Sequence, residues 1–335
     1  MKHLYFAPVC ALTIAIVLLS SVNAMGQAKA YTPPKNADGV PDLQGIWSML
    51  TNVPLERPAN LGAKEFYTPE ELAAQAQRAA AGGRAAAAPT QPGTTADVHY
   101  DLSQFGLDRG HATVASSNRT SLIVGPEGKV PPLLAEAQKR QQERAAFQRE
   151  HQWDGPETRP LTERCILWAS EGPPMLAPGY NSNLQIVQGP GYVGIMQEMI
   201  HDVRIIPTDG RAHLPQGVRQ WFGDSRGHWE GNTLVVDTTN FTDRTAFRGS
   251  TEKLHVIERF TRTGEETIKY EFTVEDPSAW AKPWSAEINW AKTAGPIFEY
   301  ACQEANYGMA NNLSGARATE KKAAEAANKA SQEQQ

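Results

Sequence analysis

The tightest constraint on this chain is a switch to a two-residue period in its second half. Ile268, Tyr270, Phe272 and Val274 alternate with Lys269, Glu271, Thr273 and Glu275. In an extended strand successive side chains leave on opposite faces, so this pattern predicts one buried face and one wetted face. Further strands are predicted over 184–188, 192–199, 201–206, 233–239 and 253–262. Gly189-Pro190-Gly191, Asp209-Gly210, residues 223–227, Gly231-Asn232 and Thr263-Gly264 punctuate them as turns. Short strands at this spacing predict a mainly β protein. Its antiparallel meander would close as a barrel or stack as a sandwich. Trp280, Trp284 and Trp290 are expected as core or wall aromatics. The main β-rich domain is placed at 160–314, with a first strand contributed from about 42–50.

Upstream of that domain the period is different. Residues 25–159 are predicted as an N-terminal arm carrying two peripheral helices. Thr68-Pro69-Glu70-Glu71 is a helix start, with Thr at the N-cap, Pro at the first helical position and Glu at the capping-box position. This helix is expected to stop at Gly82-Gly83, before a low-complexity stretch over 84–95. A second helix is predicted over 133–150. Its few apolar positions and the i,i+4 pairs Glu136/Arg140 and Lys139/Glu143 suit a surface helix. The Ala/Lys/Glu-rich tail, 315–335, is expected to be helical or disordered.

The first residues predict export. Residues 4–19 form a continuous apolar run, and Ser20-Ser21-Val22-Asn23-Ala24 follows with small residues where a signal peptidase needs them. The run is short for a membrane span, and no basic cluster follows it to stop transfer. A signal peptide over 1–24 is therefore expected, with a periplasmic or secreted product and no membrane attachment after cleavage. Cys10 would leave with that leader. Cys165 and Cys302 then remain as an even pair in an oxidising compartment, either bonded to each other or buried as two thiols. Lys and Arg total 32 against 37 Asp and Glu, so no basic excess supports a nucleic-acid partner.

Candidate chemistry is densest around 201–230. Gly223-Asp224-Ser225-Arg226-Gly227 fits G-x-S-x-G, yet the strand-like residues after it replace the helix that a nucleophile elbow requires. A glycine-flanked hairpin loop, with Asp224 forming an Asx-turn, is the expectation. Such a hairpin would put His228 and Glu230 on one face of its second strand, and Arg219 and Trp221 on one face of its first. His201, Asp202, Arg204, Arg211 and His213 lie upstream. A cavity built from these would hold His201, Asp202, Asp224, His228 and Glu230 as acid–base groups. Arg204, His213, Arg219, Trp221 and Trp229 would contact a ligand, joined by Tyr180 and Asn183 from a loop and by Glu304 and Tyr307 near the C-terminus. The structural alternative pairs Arg with Glu across strands and uses the Trp residues to fill the core. Four His fall between 201 and 255, but no H-x-H, H-E-x-x-H or C-x-x-C occurs. No metal or other cofactor is expected.

Two resemblances follow from these residues. Gly45-Ile46-Trp47 resembles the G-x-W that opens the first strand of lipocalin-like (calycin) barrels. Residues 199–206 (MIHDVRII) and 223–241 (GDSRGHWEGNTLVVDTTNF) resemble an uncharacterised family of exported bacterial proteins, over about 41–317. That resemblance implies export and carries no activity with it. The family pattern near Cys302 reads C-H-E-G-N-Y. Here Gln303 and Ala305 depart from it, which removes a His-based role, while Glu304, Asn306 and Tyr307 match. Three functions fit the sequence. The first is a binder holding a small, partly apolar molecule in a barrel cavity. The second is a periplasmic acid–base hydrolase or lyase, with Arg219 stabilising developing negative charge. The third is an envelope structural or interaction module tethered by its arm and tail.

Overall fold

Nine strands form one antiparallel sheet in the computed structural model, which describes residues 31–81, 113–168, 172–179, 181–245, 247–304 and 306–333. The expected leader, the low-complexity stretch over 84–95 and Tyr180 lie outside the described residues. The strands are β1 (Gly45–Ser48), β2 (Asn183–Gly189), β3 (Tyr192–Gln197), β4 (Val203–Pro207) and β5 (Asp224–Glu230). They continue with β6 (Thr233–Thr239), β7 (His255–Gly264), β8 (Thr267–Glu275) and β9 (Trp284–Lys292). Their spatial order is β4-β3-β2-β1-β9-β8-β7-β6-β5, curled into a nearly closed barrel. The described helices are α1 (Pro69–Ala81), α2 (Ala135–His151) and α3 (Tyr307–Glu333). The chain is thus mainly β, and of the two β architectures the barrel is the one formed.

Strand parity explains why the closure is incomplete. Every hydrogen-bonded pair is antiparallel, so alternate strands point the same way. With nine strands, the two end strands β4 and β5 therefore run parallel. No backbone ladder joins them among the described residues, and side chains cross the seam instead. Arg204 on β4 donates from Nε to Ser225 Oγ on β5 at 3.0 Å and from Nη2 to Thr238 Oγ1 on β6 at 2.9 Å. It then forms a bidentate pair with Glu258 on β7, through Nη1 to Oε1 at 3.0 Å and Nη2 to Oε2. The inward residues beneath this reach are small: Ser225, Gly227 and Thr238. A Cβ on Gly227 would lie 3.0 Å from Cγ2 of both Ile206 and Thr208, so its absence lets β4 come close.

The inner face reads directly from the two-residue period. Trp47, Phe260, Tyr270, Phe272 and Trp290 are fully buried inside the barrel. Tyr270 and Trp290 stack with ring centroids 4.5 Å apart. Burial of each such side chain is worth about 1.5–3 kcal/mol. Tyr270 also joins the polar network: its hydroxyl donates to Glu258 Oε1 at 2.8 Å and accepts the Met175 N–H at 2.8 Å. Burial and the neighbouring carboxylate push this phenol well above its ordinary range, which keeps it a donor. Met175, fully buried, seals the lumen from the segment before β2.

The arm enters this architecture through β1, which pairs with both β2 and β9. The loops beyond it are held by Arg57, 3% exposed, whose guanidinium donates to Thr120 Oγ1 and to the carbonyls of Gly62, Gly125 and Pro126. At the start of α1 the expected capping box forms, with Glu71 N–H on Thr68 Oγ1 at 3.3 Å and Thr68 N–H on Glu71 Oε2 at 2.8 Å. On α2, Arg140 donates to the Ser278 carbonyl at 2.8 Å, docking the helix on the barrel rather than pairing along its own face with Glu136.

One expectation fails at 223–227. These residues are not a hairpin loop: Asp224 opens β5, Ser225 is buried inside a ladder with β6, and the turn falls at Gly231-Asn232. Gly227 marks a close approach of another strand, not a bend. Ser225 is therefore a strand residue and not a nucleophile on an elbow.

Arg204→Met should cost about 3–5 kcal/mol in urea-induced unfolding, because it strands the buried Glu258 carboxylate. Combining it with Glu258→Leu should cost clearly less than the sum of the two single changes. Strict additivity would show that the pair does not act across the seam.

Candidate functional site

The parallel end strands oblige the chain to cross from one end of the barrel to the other between β4 and β5. Residues 208–223 make this crossover, and a chain of charged groups fastens it to the outer face of β5, β6 and β7. His213 Nδ1 lies 2.9 Å from Asp224 Oδ2, and its Nε2 lies 3.0 Å from Asp237 Oδ1. Asp237 Oδ2 meets His255 Nε2 at 2.8 Å. Asp224 also accepts the Leu214 N–H at 2.9 Å and Arg226 Nη1 at 2.6 Å. Asn240 Nδ2 donates to the Leu214 carbonyl at 2.9 Å. The hydrogen bond from His255 holds the Asp237 carboxyl below its ordinary range, and Asp237 in turn raises the His255 imidazole.

Fastened this way, the crossover delivers Trp221 and Phe222 to one end of the barrel. There they form part of a cleft of about 1330 Å³. The opposite wall comes from α2 through Arg144 and Phe147, and from residues 157–168 and 172–178 through Arg159, Arg164, Trp168 and Leu176. Phe241, Arg244, Phe247, Arg248 and Leu254, between β6 and β7, complete it. Phe247 stacks on Trp284 at 6.0 Å, which anchors this wall to the core. Gly172 lets the Phe222 ring press onto the backbone, where a Cβ would collide with it. The 157–168 part of this wall is tied to the C-terminal segment by a disulfide between Cys165 and Cys302. Asn306 Nδ2 reinforces the junction by donating to the Glu163 carbonyl at 2.9 Å.

The residues singled out in the sequence are dispersed over the molecule rather than gathered in one cavity. Trp221 lines the cleft. Arg204 lies inside the barrel with every guanidinium nitrogen hydrogen-bonded, while Asp224 and His213 belong to the crossover clasp. His228 and Glu230 lie on the outer face of β5, 3.1 Å apart, where Glu230 also accepts Arg259 Nη2 at 2.8 Å. With the His228 side chain 58% exposed, they do not converge with Arg219. Arg219 instead donates to the carbonyls of Phe241 and Glu252 at 3.1 and 3.0 Å. His201 is exposed in the β3–β4 turn, and burial raises the carboxyl of its neighbour Asp202. Trp229 packs against the core. Asn183 donates to Glu198 Oε2 at 2.8 Å. Glu304 and Tyr307 are exposed near the start of α3.

Most of the cleft escapes a reading of the sequence, including Arg144, Phe147, Arg244, Phe247 and Arg248. One signal is present: Phe147 is the single large apolar side chain in α2, and it is 57% exposed on the cleft lip. No three-membered group of His, Cys, Asp or Glu among the described residues could hold a metal ion. No described helix is long and apolar enough to cross a membrane.

Comparison with known proteins adds little to this geometry. No protein-family model matches the chain, and no curated protein matches it. Among solved structures, the crystal structure of a mutant of the fluorescent protein UnaG is similar over 40% of this chain and 86% of that chain. The identity is 12% and the TM-score 0.22.

Two measurements test the frame of the cleft. Replacing both cysteines by Ser, or reducing the native protein, should lower stability by about 2–5 kcal/mol, since the bond closes a long loop in the unfolded chain. An unchanged denaturation midpoint would contradict this. The clasp should depend on pH. The raised His255 contributes fully below its ordinary value of 6.5, and its contribution is lost as pH rises through the shifted value. The depressed Asp237 contributes above its ordinary value of 3.8 and is lost as pH falls through its lowered value. His255→Gln should therefore destabilise more at pH ~6 than at pH ~9, by at most about 1 kcal/mol for such partly exposed partners.

Proposed function

We propose that this is an exported protein that binds a small, partly apolar molecule in the cleft at the end of its barrel. The observation that carries this reading is the contrast between the two candidate cavities. The lumen is filled by aromatic side chains and the Arg204–Glu258 network, whereas the end cleft of about 1330 Å³ is open and walled by Phe147, Trp221, Phe222 and Phe247. Aromatic walls with a few polar groups are the usual composition of small-molecule sites. A disulfide on one wall and a charged clasp behind another give the walls fixed positions, which lowers the ordering cost of binding. Export is supported by the apolar run at 4–19 with small residues after it, and by a disulfide of the kind that persists in oxidising compartments. Of the residues singled out from sequence, Trp221 is retained as a ligand contact. None of His201, Asp202, Asp224, His228 and Glu230 lines the cleft, so the acid–base alternative has no shared cavity to support it.

A thermal-shift screen of small aromatic and aliphatic compounds, followed by calorimetry on the hits, tests this reading. Trp221→Ala and Phe147→Ala should each weaken a hit about tenfold or more, as expected for a buried aromatic contact, while the unfolding midpoint of the free protein stays close to that of the parent. Hits indifferent to both changes would place binding elsewhere.

A further inference from the structure

The cleft is not a neutral apolar groove. Five arginines line it (Arg144, Arg159, Arg164, Arg244 and Arg248) against three carboxylates (Glu143, Glu157 and Asp243). This local excess of cation sits in a chain whose formal charge is −5. The five guanidinium groups differ in what they do. Arg159 is committed: it donates to Glu163 Oε2 and to the Gln152 carbonyl, and lies over the Trp153 ring at 4.2 Å. Arg164 donates to the Glu157 carbonyl at 3.3 Å. Arg144, Arg244 and Arg248 are exposed, and among the described residues no carboxylate pairs with them. Of their guanidinium groups, that of Arg248 lies near the Phe247 ring, 5.9 Å from its centroid.

These three arginines come from two separate elements brought to one place. Arg144 sits on α2, and it also borders the small pocket formed with Gly249 and Ser250 at the end of the turn that carries Arg248. A Cβ on Gly249 would lie 3.1 Å from Leu133 Cδ1, so this glycine lets the turn pack directly on the start of the helix region. Arg248 itself adopts φ +50°, a left-handed conformation that side chains rarely take. A strained backbone beside a cleft, carrying an uncommitted cation, is the kind of outlier that points toward function. The planar fork of a guanidinium matches carboxylate, sulfonate and phosphate oxygens. Aromatic rings on Phe147, Trp221, Phe222 and Phe247 supply faces for a flat apolar body.

Building on the binding reading above, we infer that the ligand of this cleft is an amphipathic anion: a flat, largely aromatic body bearing an acidic oxygen group. The rings hold the body, and Arg144, Arg244 and Arg248 hold the acidic group at the α2 side.

Two dyes that share a scaffold test this on the intact mature chain: anilinonaphthalene sulfonate and its uncharged parent phenylnaphthylamine. The sulfonate should bind more tightly than the parent, and added salt should narrow the difference. The triple variant Arg144→Gln/Arg244→Gln/Arg248→Gln should lose about tenfold in sulfonate affinity and leave the parent unchanged, as exposed side chains can be replaced without disturbing the fold. Trp221→Ala should weaken both dyes, which assigns the signal to the cleft. Equal binding of the two dyes, unaffected by the triple variant, would overturn the anion inference and leave the binding reading standing. Failure of either dye to bind in a Trp221-dependent way would overturn both.

Discussion

A guanidinium on β4 reaches across β5 and β6 to a carboxylate on β7, and the closure of this barrel depends on that reach. An antiparallel sheet with an odd number of strands ends on two strands that run the same way, so its seam cannot be sewn by another antiparallel ladder. Arg204 crosses the seam with all three nitrogens occupied, on Ser225, Thr238 and Glu258. Burying two charges is costly, and an ion pair of this kind offsets the cost only when its hydrogen bonds are complete. Here they are nearly so, because Tyr270 adds a donor to Glu258 and relays to the Met175 backbone. The same network therefore fixes the seam, the centre of the aromatic core and the plug at the lumen's end.

The parity of the sheet also accounts for the long connection between β4 and β5. A tight hairpin joins antiparallel neighbours, while parallel neighbours need a chain that returns along the barrel. Such a return is exposed on its outer side and must be fastened. The alternating carboxylates and imidazoles on the outer face do that fastening, with Asp224 and Asp237 both gripping His213. Since Trp221 and Phe222 lie at the end of the return, the clasp determines where one wall of the cleft stands. An Asp–His pair in a cleft is a familiar arrangement for proton transfer. In this protein the second ring nitrogen of His213 is engaged by Asp237, and a base needs that nitrogen uncommitted.

Composition and period carry the strand content and the start of α1, because each is decided by neighbours in sequence; barrel or sandwich stays open at that level, because it is decided by strands far apart in the chain. Alternation at 268–275 and the Thr68–Glu71 capping box are local rules, and both hold. Alternation over 284–290 has the same form, with Trp284, Ala286, Ile288 and Trp290 turned inward as β9, and it can be read by the same rule. The error at 223–227 shows where local rules stop. Glycine in a strand and glycine in a turn look alike in sequence, and only the approach of Ile206 at the end of β4 and Thr208 just after it separates them. The partners of Arg204 and Arg219 are hidden for a related reason: what an arginine does is set by groups far along the chain, Glu258 for one and the Phe241 and Glu252 carbonyls for the other. The cleft is invisible in sequence because its walls come from α2, residues 157–168 and 172–178, the crossover and the β6–β7 connection, which share no period.

The arrangement of arginines argues for a division of labour within one fold. Arg57, Arg119 and Arg204 are buried or nearly so, and their guanidinium groups are committed to carbonyls, hydroxyls or a carboxylate. A ligand that displaced any of these bonds would leave a buried polar group unsatisfied, at a cost of about 1–3 kcal/mol each. Binding inside the lumen would carry that penalty, together with the loss of aromatic packing around Tyr270 and Trp290. At the end of the barrel that penalty is absent for Arg144, Arg244 and Arg248, whose side chains are exposed. The packed interior with its committed arginines therefore resists opening, whereas the cations at the open end still present donors to solvent, and the binding proposed for that end rests on this contrast.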